Sequence, residues 1–555
     1  MNHLARVIRI CILFSSTVLT VFAQTQTTAE VARWNTIELS FESNRSYANA
    51  YTEVEMWAVF KEEAGTEIRR PAFWDGGQTW KIRFAPPAQG ERWTFQTVCS
   101  DSQNAGLHGQ TGTIDATPYR GGNKLLRHGL LGMSAGHRNI VHADGTPFLV
   151  VGDTPWALPF RATENTARIY AEDRQQKGFN TALLMVVQPD QRATGPRDRT
   201  LPQSFGVAFE DLSEGHLNEL NPDYFQKLDT LIGILVEHEI VPVYSPVFQG
   251  FGWKGQGTLG GSADIEEYVR FVTYLIARYG SYPALWLANA DSAGRFPVVE
   301  AAGETFQKWD AYGQPTGNHY SPYDDRLADW TDDPDHGLHF NRIHQNKDWL
   351  DFQWAQTGHH GQHLPEKMTA MWNNTPAKGV ANGEPTYENI AYTGNAAGWW
   401  QGHEAWQNLV HGGTMGVVYG AGGLWNWKLA ADEEGWPQWA DTAASWKDAL
   451  AFEGSRYVGY ISKAFEGMPF TDMAPRPDLA DGQNLLAVPE QFYLSYLPEG
   501  GSIAIQDLPT SLHPRWFDPQ NGQFVDRPAE QTNGRFAAPS SKPWVLVIGP
   551  ESNSQ

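Results

Sequence analysis

Between about residue 146 and residue 425, eight short apolar segments alternate with helical segments. The apolar segments lack the polar alternation of half-exposed strands, which is typical of parallel strands buried on both faces. Helix signals lie between them, such as Asn221-Pro222 at a helix start and Gly178 at a helix end. The eight segments are 148–156, 180–187, 240–248, 283–291, 315–321, 350–358, 379–385 and 415–425. Eight parallel strands with intervening helices predict a (β/α)8 TIM barrel.

The sequence on both sides of this region alternates apolar and polar residues with a period of two. Ile37, Leu39 and Phe41 show the pattern before the barrel, and Leu494 and Tyr496 show it afterwards. Turns rich in Gly and Pro separate the runs, as in β-sandwiches. We therefore predict a multidomain α/β protein with a central barrel between two β-sandwiches. The predicted segments are an N-terminal sandwich at 30–118, the barrel at 125–465 and a C-terminal sandwich at 468–551.

The first 23 residues have the form of a secretory signal peptide. Arg6 and Arg9 precede the apolar run 10–22, and Val21-Phe22-Ala23 has the small-x-small form of a cleavage site. The run is too short to span a bilayer comfortably, so we expect no membrane span. We interpret residues 1–23 as a cleaved signal and expect a secreted or periplasmic protein.

The charge and the Cys and His content argue against nucleic-acid binding, disulfide bonds and a metal site. A formal net charge of −22 argues against binding nucleic acid through bulk charge. Cys99 is the only cysteine after residue 23, so no intramolecular disulfide is expected. The cluster 359–363 contains three histidines that could hold a metal ion, but no further His or Cys falls at a convincing ligand spacing. We interpret it as loop packing and sugar contacts, and expect neither a metal ion nor another cofactor.

Two carboxylates stand at predicted strand ends. Asp291 ends the fourth strand, and Glu384 ends the seventh between Gly383 and Pro385. Active groups of such barrels lie at the C-terminal strand ends, where strands four and seven face each other across the mouth. Hydrolysis of a glycosidic bond with retention uses two carboxyl groups about 5–5.5 Å apart. Glu384 would attack the anomeric carbon, and Asp291 would protonate the leaving oxygen.

Each carboxylate also has a simpler interpretation. Gly-Glu-Pro is a common string, so Glu384 could be a surface acid in a turn. Asp291, followed by Ser-Ala-Gly, could cap the N-terminus of a helix. Glu388, four residues beyond Glu384, is the second choice for the nucleophile. The joint placement of Asp291 and Glu384 at strands four and seven favours the catalytic interpretation.

Several motifs in fixed order resemble the apiosidase-like glycoside hydrolases. They are the first-strand end Gly-Asp-Thr-Pro-Trp at 152–156, Lys-Gly-Phe-Asn at 177–180, the fourth strand at 285–291, the segment 350–359 and Asn-Gly-Glu-Pro-Thr-Tyr-Glu at 382–388. The N-terminal segment resembles the module that often precedes this barrel, and the C-terminal segment resembles a collagen-binding-type sandwich. The chain differs from the family pattern at Ala288-Asn289-Ala290, where paired glycines are usual, and at Asn382, where an aspartate is usual.

The resemblance implies roles for particular residues. Asp291 matches the general acid/base of the family and Glu384 its nucleophile. Asp153 and Trp156 match first-strand residues that hold the terminal sugar. The family acts on glycans, with apiose on pectin side chains as its best-known substrate.

Other residues near strand ends are candidates for contacts with the sugar: His319, Tyr320, His359, Tyr387 and Trp425. We predict a secreted, metal-independent, retaining glycoside hydrolase that cleaves a plant or algal oligo- or polysaccharide. Two other functions stay open at this stage. One is a carbohydrate-binding or adhesion protein on the same fold, and the other is a lyase that cleaves uronate polymers by elimination. The sugar, the linkage and the oligomeric state are not predicted.

Overall fold

The computed structural model describes residues 20–22, 27–63, 65–87, 92–188, 207–250, 258–321, 342–357, 359, 365–390, 397–436, 438 and 440–551. The predicted signal peptide lies outside these residues except for Thr20–Phe22, which form a short strand paired with Glu38–Ser40. No helix in the described ranges combines the length and the apolar character needed to cross a bilayer.

Two sheets form the N-terminal region around one apolar core. One sheet has the order β1-β3-β7-β6 and the other β2-β9-β8-β4-β5. The predicted alternation is confirmed, since Leu39 and Phe41 of one sheet and Ala58 and Phe60 of the other are buried in the same core. The elements are β1 (Thr20–Phe22), β2 (Thr27–Ala32), β3 (Ile37–Glu42), α1 (Ala50–Glu53), β4 (Met56–Glu62), β5 (Glu67–Pro71), β6 (Phe73–Trp74), β7 (Thr79–Phe84), β8 (Arg92–Cys99) and β9 (Thr111–Thr117).

A short linking region leads into the barrel. Helix α2 (Lys124–His128) is capped by Asn123, whose side chain accepts hydrogen bonds from the N–H groups of Leu125 and Leu126. A small antiparallel sheet follows, made of β10 (Leu131–Met133), β11 (Ile140–His142) and β12 (Pro147–Phe148). It ends two residues before the first barrel strand.

Eight parallel strands close the predicted barrel in the described part of the chain. Each strand pairs with the next, and the last pairs with the first through Val151 and Val417. All residues of these strands are buried, which explains the continuous apolar runs in the sequence. The strands are β13 (Val150–Asp153), β14 (Thr181–Met185), β15 (Val241–Ser245), β16 (Leu285–Ser292), β17 (Thr316–Tyr320), β18 (Phe352–Gln356), β19 (Gly379–Glu384) and β20 (Gly416–Tyr419).

Helices cover the barrel, and the signals at Gly178 and at Asn221-Pro222 correctly marked one helix end and one helix start. Thr163 caps α4, and Gly178 ends it in the left-handed conformation with φ 93°. Asn221 caps α5, with Pro222 as its first residue. The helices are α3 (Leu158–Arg161), α4 (Glu164–Lys177), α5 (Pro222–Glu237), α6 (Ile265–Tyr279), α7 (Pro297–Trp309), α8 (Pro365–Trp372), α9 (Trp399–Val410), α10 (Trp446–Ala449), α11 (Gly454–Gly459) and α12 (Ile461–Phe465), with a 3-10 turn at Leu212–Glu214.

The C-terminal region contains two further sheets. A six-stranded sheet has the order β21-β22-β23-β29-β25-β26, and a three-stranded sheet has the order β24-β28-β27. The segment Asp-Pro-Gln-Asn-Gly at 518–522 forms a turn, and Asp518 pairs with Gln523 across it. The strands are β21 (Ala474–Pro475), β22 (Leu486–Val488), β23 (Phe492–Leu497), β24 (Ser502–Ile503), β25 (His513–Asp518), β26 (Gln523–Pro528), β27 (Gln531–Thr532), β28 (Arg535–Ala537) and β29 (Trp544–Gly549), with a 3-10 turn at Pro477–Leu479.

Ion pairs between buried arginines and a half-buried aspartate join the N-terminal sheets to the barrel. Asp229 of α5 lies 2.6 Å from Arg83 of β7 and 2.7 Å from Arg278 of α6. Arg83 also contacts Glu38 of β3 at 2.8 Å. Burial alone would raise the pKa of Asp229, but the two guanidinium groups lower that pKa to about 2. The interface therefore contains fixed, compensated charges.

Candidate active site

The two candidate carboxylates both lie at the C-terminal end of the barrel. Asp291 is the seventh of the eight residues of β16, and Glu384 is the last residue of β19. The simpler interpretations are wrong for both residues. Glu384 is a buried strand residue, exposed to only 7%. The N-cap of the helix after β16 is Phe296, five residues beyond Asp291.

The backbone around Asp291 is irregular. The pairing of β16 with β17 shifts register twice, between Leu287 and Asn289 and between Asn289 and Ser292. Asp291 itself has φ 56°, which is the left-handed region that residues other than glycine rarely adopt. The Asn289 side-chain amide donates to the carbonyl oxygens of Ser292 at 3.1 Å and His319 at 2.6 Å. The amide thus holds the irregular strand end in place.

Two histidines flank the Glu384 carboxylate. The Nε2 atom of His319 lies 3.2 Å from Oε2, and the Nε2 atom of His359 lies 3.2 Å from Oε1. His319 is fully buried and comes from β17, whereas His359 follows β18. Each carboxylate oxygen therefore has its own imidazole partner, which restricts rotation of the side chain.

His319 also connects the two carboxylate residues. The backbone N–H of Asp291 donates to Nδ1 of His319 at 3.3 Å. Because Nδ1 accepts this bond, the proton of the neutral ring is on Nε2, which faces Glu384. One imidazole ring therefore separates the backbone of Asp291 from the carboxylate of Glu384.

In His359 the Nδ1 atom donates a hydrogen bond, whereas in His319 the Nδ1 atom accepts one. Its Nδ1 lies 3.0 Å from the carbonyl oxygen of Pro385, which only accepts, so Nδ1 bears a proton. Its Nε2 faces Oε1 of Glu384, which also accepts when ionised. The same Nε2 also lies 3.4 Å from the side-chain amide nitrogen of Gln356.

These contacts control the charge of Glu384. Burial alone would raise the pKa of its carboxyl group. The contacts with His319 and His359 outweigh burial and hold the pKa below its ordinary value. The side chain is therefore ionised at neutral pH, as an attacking carboxylate must be.

Trp156 and Tyr387 form an aromatic wall beside the two histidines. The indole N–H of Trp156 donates to the Tyr387 hydroxyl at 2.9 Å. The Tyr387 ring lies 4.2 Å from the His359 ring, and the Trp156 ring lies 5.4 Å from the His319 ring. Burial and the charge of Glu384 raise the pKa of the Tyr387 phenol well above its ordinary value, so it stays protonated. The structure thus brings together Trp156, His319, His359, Glu384 and Tyr387.

Gln249 and Gly250, which the sequence analysis did not single out, support Asp291. The backbone N–H of Gln249 donates to the carbonyl of Ala290 at 3.2 Å, and its side-chain oxygen accepts from the N–H of Ala290 at 2.9 Å. A Cβ atom on Gly250 would lie 2.2 Å from Oδ2 of Asp291. The loop after β15 therefore packs directly on the candidate acid and leaves no space for a side chain.

Three predicted substrate contacts have other partners in the structure. Both oxygens of Asp153 are engaged, one by Arg174 at 2.5 Å and the other by the N–H of Thr154 at 2.8 Å. The Tyr320 hydroxyl donates to Gln353 on the opposite side of β17 from His319. Trp425 is buried, with its ring 6.4 Å from that of Trp436. Substrate binding by these three residues stays a prediction.

Two further buried acids lie near Glu384. Glu388, the second choice for the nucleophile, accepts hydrogen bonds from the Tyr419 hydroxyl at 2.6 Å and from the N–H of Gly398 at 2.7 Å. These bonds give it a structural role. Glu404 of α9 accepts from the N–H of Thr386 at 3.2 Å, and burial raises its pKa to about 7. The Glu404 carboxyl braces the turn after Glu384.

Within the described residues, no group of three or more His, Cys, Asp or Glu side chains is arranged to hold a metal ion. Of the histidine-rich cluster at 359–363, only His359 lies in the described part, where it contacts Glu384 and Pro385.

Comparisons with known proteins point to one group. A family model of the apiosidase-like catalytic domain matches residues 134–472, and a model of a domain of unknown function (DUF5060) matches residues 30–100. No curated protein sequence matches the chain.

A solved structure from Bacteroides vulgatus ATCC 8482, provisionally titled a glycoside hydrolase, has a TM-score of 0.68 at 18% identity and covers 94% of this chain and 99% of its own. A glycoside hydrolase family 5 protein from the same organism has a TM-score of 0.58 at 19% identity and covers 77% of this chain and 94% of its own. At such identities the likeness shows the fold alone.

Proposed function

Because the chain belongs to the family of apiosidase-like catalytic domains, a group of glycoside hydrolases, we propose that it cleaves its glycan with retention of anomeric configuration. The observation that supports the proposal is the position of Asp291 and Glu384 at the C-terminal ends of β16 and β19, where His319 contacts the backbone N–H of Asp291 and the carboxylate of Glu384. Retaining hydrolysis requires two carboxyl groups around one glycosidic bond.

Glu384 is the nucleophile in this proposal. One carboxylate oxygen attacks the anomeric carbon and forms a glycosyl ester, while the bond to the leaving oxygen breaks. The side chain is suited to this step because it is ionised and held at both oxygens by His319 and His359. Fixed geometry lowers the entropy cost of reaching the transition state.

Asp291 is the general acid and then the general base. It must be protonated when substrate binds, so that it donates a proton to the leaving oxygen in the first step. In the second step its carboxylate takes a proton from water, and the resulting hydroxide displaces Glu384 from the anomeric carbon. The left-handed backbone of Asp291 and the shifted register of its strand support a special role for this residue.

The substrate in the proposal is a plant or algal oligo- or polysaccharide, which the protein meets after export. The family supports a glycan with a sugar such as apiose at the cleaved position, and the N-terminal sequence supports secretion to the periplasm or beyond. Trp156 and Tyr387 support the sugar-binding part, since aromatic faces beside hydrogen-bonding groups suit the apolar face and the hydroxyls of a sugar ring.

The proposal is tested with Glu384→Ala and Asp291→Ala against pectic and algal glycans. We expect each variant to lose at least about 10³-fold in kcat/KM, as expected when a group that acts only in the transition state is removed. Proton NMR of the first product formed by the wild type should show the anomer of the substrate. Full activity in either variant, or an inverted first product, contradicts the mechanism. An unsaturated product would instead identify a lyase.

A further inference from the structure

A cavity separate from the catalytic residues lies between the N-terminal sheets and the barrel. Its volume is about 470 Å³, within the range of pockets that hold small ligands. Three segments line it: 43–50, the β6–β7 hairpin at 74–80, and the loop before α5 at 210–220. Both the N-terminal region and the barrel therefore contribute to one concave surface.

The cavity lies at the same end of the barrel as the catalytic residues. Leu220 lines it, and Pro222 begins α5 two residues later. The segment that runs from the end of a barrel strand to the next helix lies at the C-terminal end of the strands. Asp291 and Glu384 are at that end too.

The walls of the cavity are held in place by hydrogen bonds between the two regions. The side-chain amide of Asn49 donates to the carbonyl of Asn218 at 2.9 Å, and that of Gln226 donates to the carbonyl of Asp75 at 2.9 Å. Asp75 is buried beside Arg278 at 2.8 Å. The cavity is thus preformed, so a ligand does not have to order its walls.

The lining combines aromatic rings with hydrogen-bonding groups. Trp74 is half-buried at the wall, and its ring N–H is occupied by the carbonyl of Gly77. Trp80 also lines the cavity, and its ring N–H is buried with no hydrogen-bond partner among the described residues. The exposed side chains of Gln78 and Glu219 likewise make no hydrogen bond within the described ranges. Amide and carboxylate groups next to indole rings suit sugar hydroxyls and the apolar face of a sugar.

The charges of the lining favour an uncharged ligand. Arg45 contacts Asp101 at 3.0 Å, so its positive charge is already compensated. Glu210 and Glu219 add negative charge. An anionic sugar such as a uronate would be repelled, whereas the hydroxyls of a neutral sugar can donate to the carboxylates.

We propose that this cavity is a second carbohydrate-binding site that takes a neutral sugar of the glycan whose bond the barrel cleaves. The identity of that glycan rests on the proposed function, but occupancy of the cavity does not require cleavage. The site would hold a longer glycan against the mouth and so favour polymers over short substrates.

The test uses the full-length Glu384→Ala protein, so that bound glycan is not consumed. Short neutral oligosaccharides of arabinan, galactan and xylan are titrated by calorimetry, with oligogalacturonides as the acidic comparison. The Gln78→Ala/Glu219→Ala double substitution is added to this background. We expect the doubly substituted protein to bind one equivalent of oligosaccharide fewer than its parent. Alternatively, it binds the same oligosaccharide at least about tenfold more weakly, because two hydrogen bonds are lost. Oligogalacturonides should not bind at the cavity.

Gln96→Ala is the matched control, because Gln96 is an exposed amide on β8 that does not line the cavity. Trp74→Ala, checked for folding by thermal unfolding, should give the same loss as the double substitution. Equal stoichiometry and affinity in parent and variants, or no neutral oligosaccharide bound by the parent, overturns the proposal. If the wild type cleaves no glycan while the cavity variants still lose an equivalent, the proposed hydrolysis fails and the binding site stands.

Discussion

Glu384 is the residue whose charge is most closely controlled by its neighbours. Both of its oxygens face imidazole nitrogens, and these contacts offset the burial that would otherwise favour the protonated form. In the proposed mechanism Glu384 is the nucleophile and reacts only when ionised, so its pKa would set the acidic limit of activity. We therefore expect the two histidines to extend activity towards lower pH.

Substitution of His359 should change this limit in a defined direction. In His359→Ala the pKa of Glu384 should rise, because the hydrogen bond and the electrostatic contact with the imidazole are lost while burial remains. The acidic limb of the kcat/KM profile should move to higher pH, with a smaller change on the plateau. His216→Ala, an exposed histidine near α6, serves as the control and should leave the limb in place. An unchanged limb in His359→Ala would contradict the role assigned to the histidine.

Gln249 provides a second test at the level of single residues, because it holds the backbone beside Asp291. In Gln249→Ala we expect kcat/KM to fall by about 10- to 100-fold for substrates with poor leaving groups, as misplacement of a catalytic group does. Aryl glycosides with good leaving groups need less protonation and should lose much less in their glycosylation step. Gln226→Ala is the comparison, because this amide lies on α5 and donates to the carbonyl of Asp75 in the N-terminal region. Equal losses for both substrate types would indicate a purely structural role.

Among the elements of the barrel, β13 and α4 are joined by a fully buried ion pair between Asp153 and Arg174. Asp153→Ala leaves the guanidinium without this partner, and breaking a buried pair costs about 3–5 kcal/mol in the free energy of unfolding. Urea denaturation should detect this loss. Glu164→Ala, an exposed acid on α4, should change stability by less than about 1 kcal/mol. If Asp153→Ala instead keeps its stability and raises KM, Asp153 binds substrate as its family position implies.

The sequence predicted most of the helices and strands. It did not predict the face of the strand to which each polar side chain at a strand end points. Continuous apolar runs predicted the barrel strands, and Asn221-Pro222 and Gly178 correctly marked the start of α5 and the end of α4. When a strand is buried on both faces, the sequence does not show whether a polar side chain at its end points into the barrel or towards the surrounding helices. His319 and Tyr320 are adjacent, so they point to opposite faces, and His319 is the one that reaches Glu384. The role of Gln249 and Gly250 could not be predicted from the sequence, because it depends on their contacts with Ala290 and Asp291 on a neighbouring strand.

For the whole molecule, the ion pairs of Asp229 join the N-terminal sheets to the barrel. Asp229→Ala removes the carboxylate shared by Arg83 and Arg278, which keep Glu38 and Asp75 as partners, so we expect a loss of about 2 kcal/mol in the free energy of unfolding. Since the folded-state pKa of Asp229 is about 2 and its ordinary value is 3.8, this stabilisation is complete above pH 3.8 and declines as the pH falls towards 2. The difference between variant and wild type should therefore be smaller at pH 3 than at pH 7.

Calorimetry at both pH values measures this difference. Asp115→Ala is the matched control, because its pair with Arg92 lies on the surface of the same N-terminal sheets. A wild-type advantage that is absent at pH 7, or that grows on acidification, would contradict the assignment.

The shared carboxylate at Asp229 also bears on how the enzyme can be dissected in the laboratory. Sequence similarity to the catalytic family begins at residue 134, which invites expression of the barrel as a fragment. Such a fragment would expose to water an acid and an arginine that Arg83 normally shields, along with the helix surface around them. We therefore expect a fragment that begins at residue 134 to be less stable than the full chain, although the family match begins there.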